Sequence, residues 1–378
     1  MATAQGYGKI VTSGSVFAYD VGDTRNSYIG EPTVNLVPNA DTMANWGSYS
    51  AGNDGTFITE FGTTGYRVRN KNTWNGIARG ITLPTPGTYT ISAWFRIWGK
   101  SPSNNGINVY TSGGGISDTA QGGDDTRIGE WQRISMTRTY TTTSLTFFII
   151  SWGGTSGVDW SSWDVTKPQV ELKSHVTPFV AGTRSATQGL LPLVGNSTID
   201  LSNISFNSNA QMVFDGTDDR IVTSIPNLPT GASPRTVTAV VRIVGTSSHY
   251  YGIVGYGASS AARTFDLGFR EDNDTVFLDI YGAGGIPSVN SITRNEWFTI
   301  TGVYTGTQLQ LYLNGELEAS NTYAINTASS NFLIGDTAWG YPLHMNGDIS
   351  SVKIYNRALT AQEVKQNYRH YKTRFNLS

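Results

Sequence analysis

Tryptophan and tyrosine are the residue types in this sequence best suited to hold a ligand. An exposed flat ring stacks against the apolar face of a pyranose, while neighbouring amides and carboxylates bind the hydroxyl groups. The candidates come near predicted strand ends or in loop-rich stretches, and they are Trp98, Trp152, Trp160, Trp163, Tyr250, Tyr251, Trp339 and Tyr341. The alternative for each ring is a place in a core or under a loop, where most aromatic residues lie. The sequence therefore predicts carbohydrate binding only if several rings converge.

Residues able to carry out catalysis are not grouped in a recognisable way. The four histidines lie far apart, and no nucleophile elbow, phosphate loop or zinc motif is present. Two acidic clusters, Glu271–Asp274 and Glu316–Glu318, fall in or beside predicted hairpin turns, where acidic residues are common for solubility. We therefore predict that the protein is not an enzyme, although a triad assembled from distant strands would escape this reasoning.

The composition argues against nucleic-acid and membrane partners. The 26 Lys and Arg residues nearly balance the 28 Asp and Glu residues, so no strong field attracts DNA or an anionic membrane. The longest apolar run, Leu145–Ile150, is far shorter than the ~20 residues of a membrane helix, and the N-terminus lacks the apolar core of a signal peptide. Cysteine is absent, which excludes disulfides and thiolate metal sites. We expect neither nucleic-acid binding nor membrane insertion.

The elements that must position the rings are strands. In Thr88–Trp98 alternate residues are apolar, which is typical of a half-buried strand. A second series of such strands begins at Gly189, and its Asn314–Gly315 dipeptide suits a two-residue hairpin. Only the C-terminus predicts a helix, where Thr360 and Glu363 form a capping box. The chain is therefore predicted to be all-β with a short C-terminal helix.

Three motifs are spaced along residues 186–377. They are VFDGTDD at 213–219, NEW at 295–297 leading to YLNGE at 312–316, and GDI at 347–349 leading to YNRALT at 355–360. In this order they resemble the laminin-G-like or concanavalin A-like lectin/glucanase domains of tailed-phage structural proteins. The resemblance implies a sandwich of antiparallel sheets, and it does not specify a ligand.

Residues 33–184 carry a different set of motifs. They are TVNLVPN at 33–39, GTYTISAW at 87–94, GEW at 129–131, and PQVE at 168–171 running to TPF at 177–179. Together they resemble jelly-roll carbohydrate-binding modules of the family 4/9 type. This stretch also holds eight of the ten tryptophans.

The first strand gives the predicted domain order. FAYD at 17–20 with NSY at 26–28 resembles the opening of phage laminin-G-like domains, which usually stands just ahead of the FDGTDD region. We therefore predict a jelly roll inserted into a concanavalin A-like sandwich, an arrangement that loop-closure entropy tolerates. The predicted parts are residues 1–32 (arm and first strand), 33–184 (jelly roll) and 185–378 (concanavalin A-like domain with the helix). The alternative is two consecutive domains with an N-terminal arm.

The resemblance also bears on metal binding and catalysis. Related lectin-like domains hold calcium with loop Asp and Asn oxygens, which makes Asp215, Asp218 and Asp219 candidate ligands. The alternative is a simple turn at Asp215–Gly216, so no cofactor is certain. Retaining glucanases of this fold carry two Glu and one Asp on alternate residues of one strand, and no such triplet is present.

These observations predict a non-enzymatic bacteriophage virion surface protein, such as a capsid decoration, head fibre or tail-associated adhesin, with glycan-binding capacity. The expected partners are other virion proteins, host or environmental polysaccharide, and further copies of the chain. A trimer is expected, because phage surface proteins commonly form trimers. The expected location is the virion, assembled in the host cytoplasm. One alternative is a glycan-active hydrolase or its accessory module, which a convergent acid pair in a groove would support. A second is a purely structural capsid cement.

Overall fold

The chain folds into two compact units. The computed structural model describes residues 9–49, 54–70, 75–102, 106–115, 119–151, 161–246 and 250–377. Unit 1 consists of the described residues within Met1–Gly30, Ala186–Asn207 and Gln211–Ser378. Unit 2 consists of those within Glu31–Ser185 and Ser208–Ala210. Unit 1 is thus discontinuous in sequence.

Unit 2 is a sandwich of two five-stranded antiparallel sheets. After β1 (Ser15–Asp20) of unit 1, its strands are β2 (Thr33–Val34), β3 (Gly47–Tyr49), β4 (Asp54–Glu60), β5 (Thr63–Asn70), β6 (Asn75–Thr82), β7 (Gly87–Lys100), β8 (Ile107–Gly113), β9 (Thr119–Gly122), β10 (Gln132–Tyr140), β11 (Ser144–Ser151), β12 (Ser161–Glu171) and β13 (Thr183–Arg184). One sheet has the order β10-β7-β12-β5-β4, the other β3-β6-β11-β8-β9, and β2 pairs with β13. The inward residues of β7, from Tyr89 to Ile97, join one core with Ile149 and Trp163.

Unit 1 is a larger sandwich. Its further strands are β14 (Ser205–Phe206), β15 (Met212–Asp215), β16 (Ile221–Thr223), β17 (Arg235–Ile243), β18 (Tyr250–Gly257), β19 (Thr264–Arg270), β20 (Thr275–Asp279), β21 (Gly285–Ser291), β22 (Trp297–Tyr304), β23 (Gln308–Leu313), β24 (Glu316–Thr322), β25 (Phe332–Ile334) and β26 (Asn346–Tyr355). Eight strands form one sheet, in the order β14-β15-β26-β17-β22-β23-β24 with β1 paired to β26. Six form the other, in the order β16-β25-β18-β19-β20-β21. Both contribute to one core, with Ile300 from the first sheet and Leu267 from the second.

The first strand belongs to unit 1, as the insertion prediction requires. β1 pairs with β26, Phe17 lying opposite Ile354. Where the chain leaves and re-enters unit 1, the Ile29 N–H donates to the Gly189 carbonyl at 2.9 Å. The predicted fold class, all-β with two antiparallel sandwiches and a short C-terminal helix, is confirmed.

The C-terminal helix α1 (Ala361–Phe375) forms where its local signals predict it. The Thr360 side chain accepts from the Glu363 N–H, and the Glu363 carboxylate accepts from the Thr360 N–H, which completes the capping box. Its apolar stripe is buried, with Val364 and Tyr371 packed on side chains of the eight-stranded sheet. Within the described residues no helix has the length and apolar character needed to cross a bilayer.

Several strands were not predicted. In unit 2, β5 (TTGYRVRN) and β6 (NGIARGIT) hold few apolar residues among glycines and arginines, so their alternation is easily overlooked. In unit 1, β24 is mostly exposed, with no buried residue to mark its inner face. β24 is an edge strand and is held by pairing with β23 rather than by burying a face.

Candidate functional site

The outer face of the six-stranded sheet of unit 1 is crossed by one loop. In β19, Phe265 and Leu267 enter the core, so Asp266 points to the opposite, outer face. On that face β18 carries Gly252, where an added Cβ would lie 2.5 Å from the Asp336 carbonyl carbon. Glycine therefore allows the loop of residues 336–344, here called the platform loop, to lie directly on the sheet.

Hydrogen bonds hold the platform loop in one shape. Asp336 Oδ1 accepts from the N–H groups of Thr337 at 2.8 Å and Leu343 at 3.0 Å, which closes the loop on itself. The Gly252 N–H donates to the Leu343 carbonyl at 2.6 Å. Ala338 N–H donates to Asp266 Oδ1 at 2.8 Å. The loop is thus fixed at both ends and in the middle, which lowers the entropy lost on binding.

Trp339, at the tip of the platform loop, is the centre of an aromatic cluster. Its ring centroid lies 5.7 Å from Tyr250, 5.7 Å from Phe277, 6.3 Å from Tyr281 and 6.0 Å from Tyr341. The Tyr341 side chain is 51% exposed. Three predicted ring residues, Tyr250, Trp339 and Tyr341, therefore converge, although they come from β18 and from a loop almost 90 residues later in the chain.

Two grooves flank this cluster. One, of about 450 Å³, is lined by Tyr341 together with polar groups that include Arg220, Ser259 and Asn331. The other, of about 150 Å³, is lined by Trp339 and Tyr250 with Asp279. Rings beside hydroxyl, amide and carboxylate groups are the combination that a pyranose needs.

A pair of carboxylates lies beneath the cluster, and sequence reasoning missed it. Asp266 of β19 is directly opposite Asp279 of β20. Burial raises the pKa of Asp266 to about 7, opposed by the Ala338 N–H, and burial raises the pKa of Asp279 to about 6. A sequence signal did exist, because Asp266 stands inside one mostly apolar strand (TFDLGFR) and Asp279 ends another (TVFLD).

The pair does not form an open catalytic site in the described structure. Asp266 is fully buried, and one of its oxygens fixes the platform loop. Only Asp279 lines a groove. A glycosidase needs both carboxyl groups at the sugar.

Other candidate rings are placed differently. Trp163 is fully buried in the core of unit 2, and Tyr251 is buried in the core of unit 1, where it stacks on Phe269. Both are corrected to core residues, since their strands turn these side chains inward. Trp152 and Trp160 lie outside the described residues.

Trp98 is the remaining candidate of unit 2 and is 44% exposed. Its indole N–H donates to Asp164 at 2.8 Å, and the Arg96 guanidinium lies 4.3 Å from its ring. Arg67 and Arg96 also pair with Asp164. These hydrogen bonds hold the pKa of Asp164 below its usual value, against the effect of burial. The ring is thus fixed on the outer face of the sheet.

Asp215, Asp218 and Asp219 do come together, with carboxylate oxygens within 4.8 Å of one another. Both Asp219 oxygens are already engaged, since they accept from the N–H groups of Ser205 at 3.0 Å and Asp215 at 2.8 Å. Asp215 Oδ1 accepts from the Thr217 N–H at 2.7 Å. These carboxylates therefore already serve as the hydrogen-bond acceptors of a turn.

Comparison with known families agrees with this fold. Residues 215–365 match a laminin G family model described as the concanavalin A-like lectin/glucanases superfamily. The matched stretch lies in unit 1 and includes β18, β19 and the platform loop. A comparison with curated proteins finds no match.

Solved structures with similar parts include three binding proteins or enzymes. The CBM40 of the Ruminococcus gnavus IT-sialidase, bound to α2,6-sialyllactose, has 16% identity and a TM-score of 0.32 over 36% of this chain and 83% of that chain. The botulinum neurotoxin serotype D binding domain has 17% identity and a TM-score of 0.37 over 49% of each chain. The leech intramolecular trans-sialidase has 18% identity and a TM-score of 0.31 over 37% of this chain and 24% of that chain.

Proposed function

We propose that this protein is a non-enzymatic, glycan-binding surface protein of a bacteriophage particle. The observation that carries the glycan-binding part is the convergence of Tyr250, Trp339 and Tyr341 beside two polar grooves. The rigid platform loop supports binding, because it presents the rings before a ligand arrives. The buried position of Asp266 supports binding rather than hydrolysis.

Glycan binding is tested with the full chain on an array of neutral oligosaccharides, followed by titration of any ligand found. We expect Trp339→Ala and Tyr341→Ala each to weaken binding at least about tenfold, since a central ring contributes about 1.4 kcal/mol or more. Phe57→Ala is the matched control, because Phe57 is an exposed ring of unit 2. Absence of binding at millimolar sugar would leave the structural cement as the better function.

Hydrolysis is the second candidate, and the raised pKa values of the facing Asp266 and Asp279 favour it. Its test is the release of new reducing ends from bound oligosaccharides over a range of pH. We expect none. Release that Asp279→Asn abolishes would replace the binding function with a hydrolytic one.

The place in the particle rests on the resemblance of unit 1 motifs to tailed-phage structural proteins. The proposed partners are other virion proteins and further copies of the chain, as a trimer. Mass spectrometry of purified particles should detect the chain, and antibody labelling should place it on their exterior. Light scattering of the purified protein should give three times the mass of 40.9 kDa.

A further inference from the structure

A second cluster of aromatic rings lies on unit 2, on the outer face of the sheet that contains β10, β7 and β12. Phe61, in the turn between β4 and β5, has its ring centroid 5.3 Å from Trp131 and 6.3 Å from Trp94. The Phe61 side chain is 55% exposed. Phe61, Trp94 and Trp131 are here called the unit 2 ring patch, and none of them was a candidate from sequence.

Lys167 is directed onto this ring patch by an unusual backbone conformation. It has φ of 54°, and it lies where the pairing of β12 with β7 shifts register between Thr166 and Gln169. Such a bulge re-aims a side chain, and the left-handed conformation costs a non-glycine residue free energy. The Lys167 ammonium lies 4.9 Å from the Phe61 ring centroid and 5.6 Å from that of Phe179.

Arg133 of β10 supplies a second charge near Lys167. Its guanidinium donates to the Thr177 carbonyl at 2.7 Å and to Ser92 Oγ at 3.0 Å, both neutral groups. Burial lowers the pKa of Arg133 to about 10. Burial, and then the charge of Arg133, lowers the pKa of Lys167. The two cations are therefore close enough to repel each other.

Neither cation forms an ion pair in the described part of the chain, where no carboxylate oxygen lies within 4.0 Å of Lys167 or Arg133. The more distant carboxylate of Glu171 opposes the effect of burial on the pKa of Arg133, whereas no carboxylate acts in this way on Lys167. The neighbouring arginines of the same face differ in this respect. Arg96 pairs with Glu60 and Asp164, both at 2.8 Å, and Arg67 pairs with Asp164 at 2.6 Å. Lys167, at the edge of the ring patch, is thus the cation that lacks a neighbouring carboxylate among the described residues.

We infer that the unit 2 ring patch, with Lys167 and Arg133, binds an acidic glycan whose pyranose ring stacks on Phe61 and whose carboxylate pairs with Lys167. An anion removes the repulsion between the two cations, and the partly buried Arg133 adds a field that salt screens poorly. The exposed ring beside the cation favours an acidic sugar over a simple anion. This site is independent of the platform loop of unit 1.

The test is affinity electrophoresis of the full chain in gels containing polygalacturonate, dextran sulfate or neutral dextran. We expect polygalacturonate to retard the wild-type protein and dextran not to. Lys167→Gln should weaken that binding at least tenfold, while Lys167→Arg, which keeps the charge, should retain most of it. The Arg138→Gln variant removes one positive charge from the same strand as Arg133, away from the ring patch, and should bind like wild type.

Lys167→Gly separates binding from folding. Glycine adopts the left-handed conformation without strain, so this variant should melt no lower than wild type and still lose binding. Trp339→Ala in unit 1 should leave polygalacturonate binding unchanged. The inference is overturned if wild type does not bind polygalacturonate, if Lys167→Gln binds like wild type, or if Arg138→Gln loses as much. Retardation by dextran sulfate alone would also overturn it, since it would indicate a general anion effect.

Discussion

At the scale of the residue, Asp266 shows how burial, position and charge act together. It is fully buried, it accepts a hydrogen bond from Ala338 of the platform loop, and it lies opposite Asp279 on the neighbouring strand. Burial disfavours the ionised form, so the folded protein binds this proton more tightly than the unfolded chain does. Stability from this group is present at low pH and is lost as the pH rises toward its folded pKa of about 7.

The Asp266→Asn variant should therefore change the pH dependence of unfolding. Asn keeps an oxygen for the Ala338 N–H but cannot ionise, and each raised pKa unit costs about 1.4 kcal/mol once the carboxyl is charged. We expect urea midpoints of wild type to fall between about pH 4 and pH 7, the window between the unfolded and folded pKa values of Asp266, and those of the variant to fall less. Asp200→Asn, at an exposed carboxylate, is the control. Equal slopes in both proteins would contradict the role of Asp266.

The acidic turn of Asp215, Asp218 and Asp219 gives a second prediction at this scale. Since Asp219 already accepts two backbone N–H groups, the turn should not need a metal. Adding millimolar calcium or a chelator should leave the melting temperature unchanged. A rise with calcium that Asp218→Asn removes would restore the calcium site suggested by the family resemblance.

At the scale of the element, short-range sequence signals predicted where a turn and the helix form. They did not predict which side chains of a strand enter the core. The helix start at Thr360 and the turn at Asn314 follow from short-range chemistry, and both form as expected. In contrast, Tyr250 and Tyr251 are adjacent in one strand, so one must enter the core and the other must face outward. The sequence does not say which, because that depends on where the second sheet packs.

The helix cap gives the prediction for this scale. Thr360→Ala removes the side-chain acceptor for Glu363 and should lower the free energy of unfolding by about 1 kcal/mol. The Arg357 guanidinium donates to both Glu363 oxygens, at 2.8 and 2.6 Å, and lowers the pKa of Glu363 to about 2. The Thr360→Ala substitution leaves this ion pair in place. Thr360→Ser keeps the acceptor and should match wild type in urea denaturation. An unchanged Thr360→Ala protein would mean that packing alone holds α1.

At the scale of the whole molecule, the discontinuity of unit 1 is the main feature. Motif order predicted it, because the first strand and the FDGTDD region belong together but stand far apart. The candidate site was predictable only as a set of separate rings. Trp339 lies near Tyr250 because β18 pairs with β25. Asp266 lies opposite Asp279 because of the register between β19 and β20. Neither contact follows from the alternation of apolar residues alone.

Excising residues 31–185 should leave unit 1 folded. The N–H groups of Ile29 and Gly30 both donate to the Gly189 carbonyl, at 2.9 and 3.2 Å, so two added glycines can join Gly30 to Ala186. We expect cooperative thermal unfolding and unchanged platform-loop binding for this shortened protein. Aggregation, or loss of the near-ultraviolet circular dichroism signal while the far-ultraviolet signal is retained, would show that unit 1 needs unit 2.

The pairing of β1 with β26 also sets a constraint during translation. β1 ends at Asp20 and its partner begins at Asn346, so the ribosome needs roughly 15 to 65 s to deliver the partner at ~5–20 residues per second. During that interval Phe17 and Tyr19, which end fully buried, have no sheet to cover them. Unit 2 lies almost wholly in one continuous stretch of sequence and can fold first. The nascent chain then carries a folded unit 2 while β1 is still unpaired and accessible to chaperones.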